Sequence, residues 1–354
     1  MKNDTASTTV LHGSRRLTAV SIDAYNCELR AGKGFIGDRA SNGAFRALLE
    51  KGRERLREVG DDPLGDKPTE ELSKKKLDKT LLEGDPEAAG VIQGAIEEFA
   101  AELAKVTTRF LRLKSWRGVS RVAVGGGLRA SRTGELAIGR ASVLLKDAGH
   151  DVQMRPIHHD PDEGGLVGAA HLVPAWMFAG HDAILALDIG GSNIRAGIVA
   201  LHLEEADDFS LAAVHESELW RYADEEKQPN REEAIARIGQ MLEGLVRKAE
   251  KDKLTLAPFV GVGCPGLIAD DGAIKRGGQN LPGNWHSNRF NLPVQIRQQL
   301  PRIGDHETTV VLHNDAVVQG LSEIPFTRDV ARWAVLTIGT GLGNAAFTNG
   351  TARE

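Results

Sequence analysis

Residues 184–201 read ILALDIGGSNIRAGIVAL, two apolar runs of strand length hinged on Gly-Gly-Ser-Asn. That pattern predicts a β-hairpin with a tight glycine turn. The design recurs in RWAVLTIGTGLGNAAFTNG at 332–350: a strand, a turn of closely spaced glycines, then a second strand of small residues. Two such hairpins imply two domains of related architecture. Only a few residues follow the second hairpin, so the rest of its domain is expected from the N-terminal half of the chain or from another chain.

The N-terminal half has suitable parts. After a polar leader, GAFRALLEKGRERLREVG predicts a helix, and DDPLGDKPTEELSKKKLDK a charged, Pro-rich connector whose Lys74-Lys75-Lys76 run reads as a solvated helix face. A long amphipathic helix follows from an Asp85 cap with Pro86 at its first position. VSRVAVGGGLRASRTGELAIGRASVLL predicts a strand, three glycines and a helix, and VQMRPIHHDPDEGGLVGAAHLV a strand, a polar loop and a small-residue helix. Beyond the central hairpin come a helix at 231–252, a strand FVGVGC, a Gly/Pro-rich loop to Trp285 and a strand TTVVLH.

Composition narrows the function. With 354 residues, 41% of them apolar, the chain suits two globular domains. A net charge of −5 points away from nucleic acid as a partner. Cys27 and Cys264 alone exclude a disulfide framework and a four-cysteine zinc site. The N-terminus lacks an apolar signal core, and the window LVGAAHLVPAWMFAGHDAILAL is broken by His171, Pro174, His181 and Asp182. A cytoplasmic protein without a membrane span is expected.

A glycine turn offers backbone N–H groups to phosphate oxygens. Asp188, set in an apolar strand beside such a turn, is costly unless compensated, and a metal ion with its waters would compensate it. Taken alone, the same acid could equally cap its own hairpin. The remaining motifs are GCPG at 263–266, NLPGNW at 280–285, HNDA at 313–316 and GTGLG at 339–343. Together with DIGGSN they resemble, in order and approximate spacing, the ROK family of sugar kinases and their relatives within the actin-like ATPase fold. The family's adenosine strand and final helix resemble Val124–Gly127 and GLVGAA at 165–170, preceded by GDPEAA at 84–89. Here they come before the first phosphate motif, whereas the family has them after the second.

The resemblance implies an α/β, two-lobed actin-like ATPase (ribonuclease H-like) fold in circularly permuted order. One lobe is expected over 183–320, and the other over 321–354 together with 1–182, with Met1 and Glu354 close together in it. By the same resemblance Asp315 is the general base of ATP-dependent phosphoryl transfer to a sugar hydroxyl. Asp188 holds Mg²⁺ through water, Gly190, Gly191 and Ser192 line the phosphates, and Gly339, Thr340, Gly341 and Gly343 hold their other side. Gly126 and Gly127 flank the adenosine, while Asn280, Asn314 and the Gly266 backbone meet the sugar. The family's dimers extend by analogy to a homodimer.

Two departures stand out. The family's Glu-x-Gly-His sugar motif and its cysteine zinc site belong between Gly350 and GDRAS at 37–41, and neither is present, so no structural zinc is expected. A sugar- or nucleotide-sensing protein without catalysis is therefore the rival reading. HHDPDE at 158–163 reads as a solvated loop in preference to a metal cluster, and Trp285 and Glu323 as structural residues.

Overall fold

The computed structural model describes residues 11–32, 34–287 and 289–350. In chain order the main elements are β1 (Val20–Tyr25), α1 (Asn42–Arg57), α2 (Lys74–Glu83), α3 (Pro86–Leu111), β2 (Arg121–Gly125), α4 (Arg132–Asp147), β3 (Gln153–Pro156) and α5 (Pro161–Val167). Then come β4 (Ala183–Ile189), β5 (Ile194–Ala200), β6 (Ala213–Trp220), α6 (Arg231–Lys251), β7 (Leu256–Cys264), α7 (Leu292–Gln299), β8 (Thr309–Asn314), α8 (Asp315–Leu321), β9 (Arg332–Ile338) and β10 (Leu342–Asn349). Among the described residues no helix is long and apolar enough to cross a membrane.

The chain divides into two compact units, Gly165–Leu321 with Met1–Ala19, and Val20–Gly164 with Ser322–Glu354. The first carries a five-stranded mixed sheet in the order β6-β5-β4-β7-β8. β4, β5 and β6 form an antiparallel meander, and β7 and β8 run parallel to β4. The second carries the order β1-β10-β9-β2-β3, with β9, β10 and β1 antiparallel in turn and β2 and β3 parallel to β9. Strand for strand the two sheets have one topology. In the second, however, the third strand of the meander, β1, comes from the other end of the sequence, and Val20 pairs directly opposite Asn349.

The sequence dictates most of this locally. The Asp85 side chain accepts the Glu87 N–H and Pro86 occupies the first turn, so α3 starts where expected. Its Ile92, Ile96, Phe99, Leu103 and Phe110 recur at helical spacing and are buried in the second unit's core. α6 opens with a reciprocal capping box between Asn230 and Glu233 and buries Ile238, Leu242 and Leu245 against the first unit's sheet.

Several expectations are corrected. The leader contains β1, and its His12-Gly13-Ser14 stretch belongs with the first unit: Gly13 N–H donates to the Leu312 carbonyl and the Leu312 N–H to His12 Nδ1. Residues 165–182 also belong there, not with 321–354, because the turn at 168–172 packs on β7 so closely that a Cβ at Gly261 would stand 2.7 Å from Ala169 Cβ. Met1 and Glu354 lie outside the described residues. The connector folds into a short 3-10 turn and α2, and Lys74 turns inward while Lys75 and Lys76 stay exposed. HHDPDE is packed as well as solvated: the His158 ring stacks on Phe326 at 3.7 Å, and burial pushes His159 down to about 4.

Candidate functional site

In the first unit the ends of β4 and β7 and the start of α8 bring two carboxylates together. Asp188 pairs in register with Arg195 on one side and Gly263 on the other. A Cβ on Gly263 would stand 3.5 Å from Asp315 Cα and 3.6 Å from Asp188 Oδ1, so both acids flank this glycine. Gly165 of α5 presses on the same spot, since a Cβ there would come within 2.7 Å of the Asp188 carboxylate. Asp315 opens α8, where its Oδ1 accepts the Ala316 N–H at 2.9 Å. Burial, and secondarily the charge of Asp188, raise its pKa to about 7, outweighing the hydrogen bonds from Ala316, its own N–H and Asn314. Beneath them the fully buried Cys264 thiol is pushed up by burial and by the same two acids.

The turn after β4 is closed by the Gly190 N–H donating to the Asn193 carbonyl at 2.8 Å. Gly191 faces the 277–287 loop, where a Cβ would meet Asn280 Cβ at 3.1 Å. The Ser192 carbonyl accepts the Ala223 N–H. Asn280 is exposed, and behind its loop Trp285 is buried and donates its indole N–H to the Pro282 carbonyl. Gly266 takes φ +110°, and a Cβ there would stand 2.3 Å from the Arg276 carbonyl oxygen, so only glycine fits. Its carbonyl accepts the Asn314 side-chain N–H at 3.1 Å, and Asn314 Oδ1 in turn accepts the Val317 N–H. Asn314 is therefore a buried cap and brace for Asp315 and Gly266. His313 beside it is buried and neutral, its Nδ1 accepting the Asn314 N–H and its Nε2 donating to the Ser14 carbonyl, and burial lowers its pKa to about 4.

The second unit gathers the other glycines. Gly126 has φ +84°, and a Cβ would stand 2.3 Å from the Ile338 carbonyl oxygen, locking the end of β2 against the end of β9. In the turn that follows β9, the Gly339 N–H donates to the Gly341 carbonyl, and the Gly339 carbonyl accepts the Asn42 N–H. Thr340 and Gly341 are exposed at its tip, and Gly343 pairs with Thr337. The Gly127 carbonyl accepts the Lys74 ammonium. Burial lowers the pKa of Lys74. Beside them is a cavity of about 90 Å³ lined by Asn42, Phe45, Arg46, Lys74, Leu128 and Thr133, among others. Asn42 Oδ1 is sequestered there without a hydrogen-bond partner.

Within the first unit, then, Asp188, Asp315, Asn314 and Gly266 form one cluster, and Gly190, Gly191 and Asn280 an adjoining turn and loop. The second unit separately joins Gly126 and Gly127 to the Gly339–Gly343 turn. Sequence reading missed Tyr222, Lys74, His313 and the packing role of Gly165. The available signal was weak: a lone tyrosine after a polar strand, one lysine in a run of three, and a histidine within HNDA. Asp188 and Asp315 offer oxygen donors, the ligand type Mg²⁺ takes while keeping most of its waters. Among the described residues no group of three or more His, Cys, Asp or Glu side chains could hold a metal by itself.

No family model and no curated protein matches the chain. Among solved structures it is similar to a "putative sugar kinase" from Cytophaga hutchinsonii, at 20% identity over 48% of each chain and a TM-score of 0.36. It is also similar to a "putative N-acetylmannosamine kinase" from Listeria monocytogenes, at 23% identity, 48% of each chain and a TM-score of 0.33. The chain thus spans about half the length of each, and scores this low carry no weight for fold or activity.

Proposed function

We propose that the chain is an ATP-dependent phosphotransferase acting on a hydroxyl of a sugar or sugar-like molecule, a ROK-type kinase of the actin-like ATPase fold in circularly permuted order. The observation that carries this reading is Asp315: a half-buried carboxyl with its pKa raised to about 7, next to a second acid and braced by Asn314. That value suits a general base at neutral pH. The permuted order is supported by the two sheets of one topology, in which β1 supplies the third strand beside β10.

On this reading the Asp315 carboxylate accepts the proton of the attacking sugar hydroxyl, and Asn280 and the Gly266 backbone orient that sugar. The resemblance assigns phosphate contacts to the turn at 190–192 in the first unit and, separately, to the turn at 339–343 in the second, and the adenosine to Gly126 and Gly127. Mg²⁺, held through water by Asp188, would supply charge neutralisation for the phosphates. Positioning and charge neutralisation provide most of the catalysis in phosphoryl transfer, so one carboxylate base suffices. The test is ADP release with a panel of hexoses, amino sugars and N-acetylated sugars, with the phosphorylated product identified by mass. One sugar stimulating release and gaining a phosphate is the expected result. Measurable ATP binding without stimulation by any sugar would favour the sensing protein instead.

A further inference from the structure

We propose that the Tyr222 hydroxyl is a positioning latch that couples the phosphate turn at 190–193 to the sugar loop at 277–287. The inference rests on the functional reading above. Tyr222 follows β6 in a single 3-10 turn, is 2% exposed, and packs edge-on against Trp220 at 5.6 Å. Its hydroxyl lies 2.7 Å from the Gly190 carbonyl and 3.2 Å from the Asn280 carbonyl. A phenol has one proton, so it can serve one carbonyl fully at a time. Burial raises the pKa of the phenol, keeping it a donor. The same two segments also touch sterically, at Gly191 and Asn280. A shift of either segment therefore moves the proton's better acceptor to the other, and the turn senses whether the loop is seated around a sugar.

The test is Tyr222→Phe, which keeps the ring and removes only the hydroxyl. Amide exchange is read at Gly190, at Gly278 and Leu281 in the loop, and within α6 as a folding control. Faster exchange by severalfold in both turn and loop, with α6 unchanged, is expected. So is loss of the change in sugar affinity that a non-hydrolysable ATP analogue produces in the wild type, with the sugar KM raised more than the ATP KM. Change in only one segment, change in neither, or a uniform rise that includes α6 would overturn the latch. Should the wild type phosphorylate no sugar, the kinase reading fails by itself, while the exchange measurement still decides whether Tyr222 ties the two segments together.

Discussion

At the scale of single residues, Asp315 and the glycines separate fold from chemistry. In the metal-free protein the folded chain keeps the Asp315 proton up to about pH 7, whereas an unperturbed aspartate releases it near 3.8. The folded state thus binds more protons between these values, and this contribution to stability is lost as pH rises through them. Asp315→Asn removes the cost and should stabilise the metal-free protein at pH 8 by roughly 1–3 kcal/mol, with little gain at pH 4, as urea unfolding at the two pH values will show. On the proposed reading, the wild type's kcat/KM should fall as pH drops and Asp315 is protonated, with Mg²⁺ beside Asp188 moving the midpoint below that of the metal-free protein. Gly126→Ala forces a side chain into left-handed backbone and onto the Ile338 carbonyl, and should cost about 3 kcal/mol or more by thermal unfolding. Gly341 has open space around its Cβ position. Gly341→Ala should leave stability within about 0.5 kcal/mol and, if the proposed phosphate role holds, raise the ATP KM.

At the scale of elements, the connector after α1 is anchored chiefly by Arg53, with Arg46 and Arg57 beside it. Arg53 is 2% exposed and donates to Asp62, Thr69 and the Gly65 and Lys67 carbonyls, at 2.6–2.8 Å. Arg53→Met removes these bonds while leaving Asp62 its Arg57 pair and the Leu64 N–H, and should destabilise the protein by about 2–3 kcal/mol in denaturant unfolding. Strands and helices with strong periodicity or clear caps, such as β4, β9, α3 and α6, were legible in the sequence. β1 and β6 were not, and each is the outer strand of its meander. β6 reads AVHESELW with half its residues exposed and none buried, so no apolar alternation marks it, and β1 is six residues long with Asp23 inside it. The Lys74 contact with Gly127 was hidden for a different reason. Nothing local distinguishes it from Lys75 and Lys76, and only the packing of α2 near Gly127 does.

At the scale of the whole molecule, DIGGSN and GTGLG announced two related sheets, and their common strand order is what the structure adds. The pairing of Val20 with Asn349 could not be read from residues more than three hundred positions apart without a partner pattern. It predicts that a chain rearranged to run 183–354 and then 1–182, joined by a flexible linker of about fifteen residues, folds with a melting temperature within a few degrees of the original. An insoluble or molten product by circular dichroism would count against the permuted order. The central claim is that Asp315 deprotonates a sugar hydroxyl for phosphoryl transfer. Its most direct measurement is sugar-dependent ADP release by the wild type and Asp315→Asn, with nucleotide affinity measured in parallel. The account predicts turnover lower by roughly a hundredfold or more in the variant with nucleotide affinity unchanged. Equal turnover in the two proteins would contradict it.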